Sequence, residues 1–85
     1  MEKLTDQQRL YWRSRRGMKE LDLLLIPFIE KAYPTLSMEE QQAVALLLEA
    51  TDPELYSWLL GHTAPEDKTL QAICEKIRQF HQHPH

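Results

Sequence analysis

The sequence has little cysteine and no long apolar run. Its one cysteine, Cys74, has no second cysteine with which to form an internal disulfide, which fits a reducing compartment. The longest apolar run covers residues 23–29 and is far too short to span a bilayer, so we expect no membrane insertion. The chain opens without a recognisable secretory signal. These absences predict a cytoplasmic protein.

The composition is that of a folded domain, with 42% hydrophobic and 27% charged residues among 85. We expect residues 1–85 to form a single domain in which residues 81–85 are a frayed tail. The net charge of −3 conceals an asymmetry, because residues 1–20 hold six basic and three acidic side chains. The N-terminal end should therefore attract anions or acidic surfaces.

Capping residues and glycines predict the first two helices. The segment Thr5-Asp6-Gln7-Gln8 has capping-box spacing and predicts a helix over about residues 6–15, which Gly17 ends. Residues 18–33 predict a second helix, apolar on nearly every face and so expected to be buried by its neighbours. Pro27 argues against a central strand in this segment and should bend the helix.

The remaining segments also predict helices. Ser37-Met38-Glu39-Glu40 is a capping box that opens a helix through about Ala50. Asp52-Pro53 suggests an N-cap followed by proline at the first helical position, and Gly61 ends that helix. A last helix is expected over about residues 66–81. The prediction is an all-α, compact bundle of about five short helices. The expected core residues are Leu25, Phe28, Val44, Leu47, Leu59, Ile73 and Ile77.

Catalytic and metal-binding patterns are weak in this sequence. Cys74 lies on an apolar helical stripe, where thiols are usually inert packing. His81, His83 and His85 are two residues apart, so on a helix they do not converge on one ion. We found neither a glycine-rich phosphate loop nor a nucleophile elbow. We therefore expect a protein that is not an enzyme and has no metal site.

The segment Arg13 to Asp22 has the strongest functional signal. Three arginines surround Gly17 beside the positive end of the second helix, where they repel one another and the helix dipole. An anionic group on a partner would explain them, which indicates a protein-interaction module with Arg16 on its surface. Glu20 has a structural explanation as well, at the third helical position after an N-cap at Gly17.

Nucleic-acid binding is the alternative function. Basic and aromatic residues alternate near the N-terminus, as in proteins that bind RNA or single strands. The sequence pI of about 5.7 is below the basic range expected of such proteins. The residues concerned are Arg9, Tyr11, Trp12, Arg13, Arg15 and Arg16.

The segment from residue 12 to residue 22 resembles the Arg-Gly-x-x-Glu signature of the succinate dehydrogenase FAD assembly factor family (SdhE, also YgfY). The similarity continues through Pro27-Phe28, Leu47-Leu48-Glu49 and residues 52–59, and it covers about residues 9–62. The family's fold is a small five-helix bundle, in agreement with the helices expected here.

The resemblance implies a bacterial chaperone-like factor that binds the flavoprotein subunit of succinate dehydrogenase, and that of fumarate reductase. Such a factor promotes covalent attachment of FAD to a histidine of its partner. FAD is then acted on within the partner and is not stably bound by this chain, and no nucleic acid is involved. The implied partner-binding residues are Arg16, Gly17 and Glu20 of the signature, with Arg13, Arg15 and Asp22 as neighbours.

Overall fold

The computed structural model describes residues 8–10, 14 and 16–82. From residue 16 to residue 82 four α-helices follow one another, and we label them α1 (Lys19–Lys31), α2 (Met38–Leu47), α3 (Asp52–Leu59) and α4 (Lys68–Gln82). A short 3-10 helix, Tyr33–Thr35, joins α1 to α2. Residues 8–10 and 14 are helical as well, inside the predicted first helix. The described residues contain no strand, and the predicted compact all-α bundle is confirmed.

Helix α1 begins one residue later than the sequence suggested. Met18, in an extended conformation, is its N-cap, and the Asp22 N–H donates to the Met18 carbonyl at 2.9 Å. Two acidic residues, Glu20 and Asp22, lie in the first turn, where they favour the positive end of the helix dipole. The helix continues through Pro27, so the interpretation of this segment as helix is confirmed.

Capping boxes begin both α2 and α3. The Ser37 box is the predicted one, with Ser37 accepting from the Glu40 N–H and Glu40 accepting from the Ser37 N–H. For α3 the expected N-cap at Asp52 is wrong. Thr51 is the N-cap and forms a capping box with Glu54, so the Asp52 side chain is not needed to cap the helix.

The ends of the last two helices use predictable chemistry. Gly61 has φ +80, and the Gly61 and His62 N–H groups donate to the Trp58 and Ser57 carbonyls in a Schellman arrangement. Helix α4 begins after Asp67, whose carboxylate accepts from two first-turn N–H groups. His81 and Gln82 are helical, which corrects the expected tail at 81–85, while residues 83–85 lie outside the described part.

The core lies where α1 packs against α3 and α4, with α4 also contacting α2 and α3. All seven predicted core residues are buried. The expectation that α1, apolar on nearly every face, is buried by its neighbours is only partly correct, because Leu21, Leu25, Phe28 and Ile29 are buried but Leu23 is 61% exposed. Burial raises the pKa of the Cys74 thiol to about 11, so the thiol stays protonated and unreactive at neutral pH. No described helix combines the length and the apolar character that crossing a membrane requires.

Candidate functional site

The side chain of Arg16 reaches across the molecule to the turn between α2 and α3. Its Nη1 donates to the Leu48 carbonyl at 3.0 Å and its Nη2 to the Ala50 carbonyl at 2.5 Å. Its Nε donates to the Asp52 carboxylate, forming an ion pair. Only 15% of the Arg16 side chain is exposed. The guanidinium is therefore bound inside this chain.

This position corrects the expectation that Arg16 lies on the surface and needs an anionic group from a partner. The last carbonyls of an α-helix have no partner within the helix, and the helix dipole is negative at that end. Arg16 contacts this end of α2, whereas the sequence argument placed its charge beside the positive end of α1. Asp52 is thus the anion that accompanies Arg16.

Gly17 forms the junction between the N-terminal helical residues and α1. Its φ of +80 lies in the left-handed region, which glycine adopts without the cost that a β-carbon imposes. Its position is exposed, and a β-carbon there would meet no atom within 4 Å. The conformation of the backbone, and not crowding within the described chain, accounts for glycine here.

A hydrogen bond between the backbone of Arg16 and the side chain of Asp22 also stabilises this junction. The Arg16 N–H donates to the Asp22 carboxylate at 2.9 Å, so the two ends of the segment 16–22 are joined directly. Asp22 is half-buried and, like Arg16, has an internal contact. Of the six partner-binding residues predicted from the sequence, Arg16 and Asp22 thus have contacts within this chain, and their role in partner binding stays a prediction.

Glu20 faces the solvent at the second helical position of α1, one position earlier than expected, because the N-cap is Met18. Within the part of the chain that the structure describes, its side chain has neither a hydrogen-bond nor an ion-pair partner. Its carboxylate is consequently available to a donor on another molecule. Lys19, beside it, is exposed as well.

An apolar groove borders the exposed face of the junction. Its volume is about 350 Å³, and its walls include the exposed Leu23 and the half-buried Ile26 and Pro27. Gly17, Lys19 and Asp22 complete its lining. Sequence reasoning missed this groove, since a helix apolar on nearly every face does not indicate which side stays uncovered.

The other basic residues are only partly placed. Arg13 and Arg15 lie outside the described residues, as do Tyr11 and Trp12, so their predicted roles stay predictions. Arg9 is exposed on the helical residues 8–10. Because the Arg16 guanidinium is bound to the α2–α3 turn and to Asp52, it is not available to a phosphate in this arrangement.

Comparison with known proteins relates this arrangement to a family. The sequence profile of the Sdh5 family, described as flavinator of succinate dehydrogenase, matches residues 8–81. A solution structure of a UPF0350 protein superposes with a TM-score of 0.77 at 36% identity, covering 96% of this chain and 87% of that chain.

Proteins named FAD assembly factor SdhE are similar along most of their length. The one from Pseudomonas aeruginosa is 44% identical over 73 residues, 86% of this chain and 87% of its own. The one from Colwellia psychrerythraea is 46% identical over 72 residues, 85% of this chain and 79% of its own. The chain therefore belongs to the family of flavinators of succinate dehydrogenase.

Proposed function

We propose that this protein binds the flavoprotein subunit of succinate dehydrogenase, and that of fumarate reductase, and promotes covalent attachment of FAD to it. The observation that carries the proposal is the family match over residues 8–81, together with relatives that are named FAD assembly factors. We propose a cytoplasmic location for this activity.

The proposed docking surface consists of Gly17, Lys19, Glu20 and the groove beside Leu23. Among the described residues the Glu20 carboxylate has no partner, and such a group accepts strong hydrogen bonds from arginine or backbone N–H donors. Leu23 is 61% exposed, and covering it removes apolar surface from water, at about 25 cal/mol for each Å² buried. The exposed glycine allows another backbone to approach closely.

The proposed mechanism is positioning. Docking holds the flavoprotein in a conformation that aligns FAD with the histidine that accepts it, and the covalent chemistry belongs to the flavoprotein. The residues of this chain contribute contacts rather than a nucleophile, in keeping with the buried Cys74 and its raised pKa of about 11. FAD is acted on inside the partner and is not stably bound here.

The test is a bacterial strain lacking the gene for this protein. Its flavoprotein polypeptide should be made but should carry little covalent flavin, seen as lost fluorescence on a denaturing gel that strips non-covalent FAD. Supplying the wild-type protein should restore the fluorescent band. Normal covalent flavin at the normal rate without this protein would refute the proposal. Recovery of nucleic acid, with no flavoprotein, in a pull-down would favour the alternative function.

A further inference from the structure

The Arg16–Asp52 pair joins the family signature to a residue 36 positions further along the chain. We infer that Asp52 is a positioning residue for the docking surface: it holds the Arg16 guanidinium and thereby fixes the junction that presents Gly17 and Glu20. This inference rests on the proposed function. It adds a residue of the first turn of α3 to the site, although this turn does not belong to the exposed surface at Gly17.

The first step of the argument is that the Asp52 carboxylate is not needed to begin its own helix. Thr51 caps α3, accepting from the Glu54 N–H at 3.4 Å, and Glu54 accepts from the Thr51 N–H at 3.0 Å. Asp52 follows this cap, with a side chain that is 39% exposed. Its carboxylate accepts from the Arg16 Nε. The two Nη atoms of the same planar guanidinium donate to the carbonyls of Leu48 and Ala50, so the Asp52 carboxylate supplies the third acceptor.

The second step concerns what Arg16 fixes. Its side chain is bound to the α2–α3 turn, and its own N–H is bound to the Asp22 carboxylate at 2.9 Å. The short segment 16–22 is therefore anchored on both sides, while Gly17 and Glu20 between the anchors are exposed. Without these two contacts, the backbone at Gly17 could adopt many conformations, because glycine has no β-carbon to restrict it. Releasing Arg16 from Asp52 lowers the fraction of molecules in which the junction has its docking conformation.

Apparent affinity falls in proportion to that fraction. For Asp52→Asn we expect about tenfold weaker binding to the purified apo-flavoprotein subunit of the cognate succinate dehydrogenase, and a similarly slower attachment of FAD. The matched control is Glu54→Gln, which removes a first-turn carboxylate of the same helix that contacts Thr51 and not Arg16. The control should lose some thermal stability yet bind within about twofold of wild type.

A spectroscopic measurement separates positioning from general stability. The Arg16 Nε–H, bonded to a carboxylate, should give a protected side-chain signal in the NMR spectra of wild type and of Glu54→Gln. Asp52→Asn keeps an acceptor oxygen but loses the negative charge, so it should reduce the protection of this signal and shift the amide resonances of Gly17 and Met18. Equal binding by Asp52→Asn and wild type would overturn the inference, and so would losses in both variants that simply follow their melting temperatures.

Two further outcomes are informative. If wild-type protein does not bind the flavoprotein, the proposed function fails, while the NMR comparison still decides whether Asp52 holds the junction. If Asp52→Asn does not fold, Arg16→Lys probes the same contact, since a single ammonium does not match three acceptors arranged for a guanidinium. Wild-type affinity in a folded Arg16→Lys protein would also overturn the inference.

Discussion

The Nη2 atom of Arg16 lies 2.5 Å from the carbonyl oxygen of Ala50, at the end of the turn that follows α2. We predict that Arg16→Ala lowers the free energy of unfolding by about 2–3 kcal/mol. The substitution removes charge-assisted hydrogen bonds from a largely buried side chain and leaves Asp52 without its cation. Urea denaturation followed by circular dichroism measures the change.

Arg9→Ala is the control for that measurement, because Arg9 is an exposed helical arginine close by in sequence. Its effect should stay within about 0.5 kcal/mol. An equal free energy of unfolding for the two variants would mean that the internal contacts of Arg16 do not stabilise the fold. Arg16 would then behave as a surface residue.

Phe28 should be among the most sensitive positions of the core. It is 1% exposed, and its ring meets that of Phe80 edge to face, with centroids 5.6 Å apart and planes at 87°. Phe28→Ala should cost about 3–5 kcal/mol by leaving a cavity between α1 and α4. Leu23→Ala, on the exposed side of the same helix, should cost far less. A small loss for Phe28→Ala in thermal unfolding would contradict the core assignment.

The two glycines form a matched pair. Gly17 and Gly61 both have φ +80, and a β-carbon at either would meet no atom of the described residues within 4 Å. Alanine at either position should therefore destabilise the protein by about 1–2 kcal/mol through backbone strain alone. Only Gly17→Ala should also slow FAD attachment in the complemented deletion strain. If Gly61→Ala slowed it equally, the effect would come from stability and not from the docking surface.

Lowering the pH should remove the contribution of Glu40 to the stability of the fold. Its hydrogen bond from the Lys76 Nζ, and then that from the Ser37 N–H, hold its pKa below the ordinary value of 4.5. A carboxyl whose pKa is lower in the folded state stabilises the fold above its unfolded pKa, and this stabilisation disappears as the pH falls through the folded pKa. Glu40→Gln should lower the melting temperature at neutral pH.

The difference between Glu40→Gln and wild type should shrink once the pH falls below about 4.5. Thermal unfolding at a series of pH values from neutral to about 3 tests this. A melting-temperature difference that stays constant over the whole series would show that the ionised form of Glu40 is not what stabilises the structure.

The helices could be predicted from the sequence because the residues that begin and end a helix lie close together in the chain. Ser37 and Glu40 are three residues apart and satisfy each other's backbone, so the capping box is visible in the sequence. The same rule holds at α3, but Asp52-Pro53 also resembles an N-cap followed by a first helical proline, and this resemblance placed the predicted N-cap one residue too late. Thr51 is the N-cap, and Glu54 stands three residues after it, as a capping box requires.

The internal role of Arg16 had no local signal. Its acceptors lie 32 to 36 residues away, and only the tertiary fold brings Arg16 to the α2–α3 turn. The exposure of Leu23 was equally hidden, since it depends on which helices cover α1. The family signature draws attention to residues 16–20, but its order of residues does not distinguish an internal arginine from an exposed glutamate.

Glu20 provides the clearest test of the docking surface. Because its side chain is exposed and has no partner among the described residues, Glu20→Gln should change the free energy of unfolding by no more than about 0.5 kcal/mol.

Glu39→Gln is its matched control, since Glu39 is exposed at the same position of the first turn in α2. The two variants therefore share any effect on a helix dipole. In the complemented deletion strain, Glu20→Gln should slow the appearance of covalent flavin several-fold, because a charge-assisted contact to the flavoprotein is lost, while Glu39→Gln should match wild type. Equal rates for both variants would remove Glu20 from the docking surface and leave the neighbouring Leu23 groove as the part of that surface to examine next.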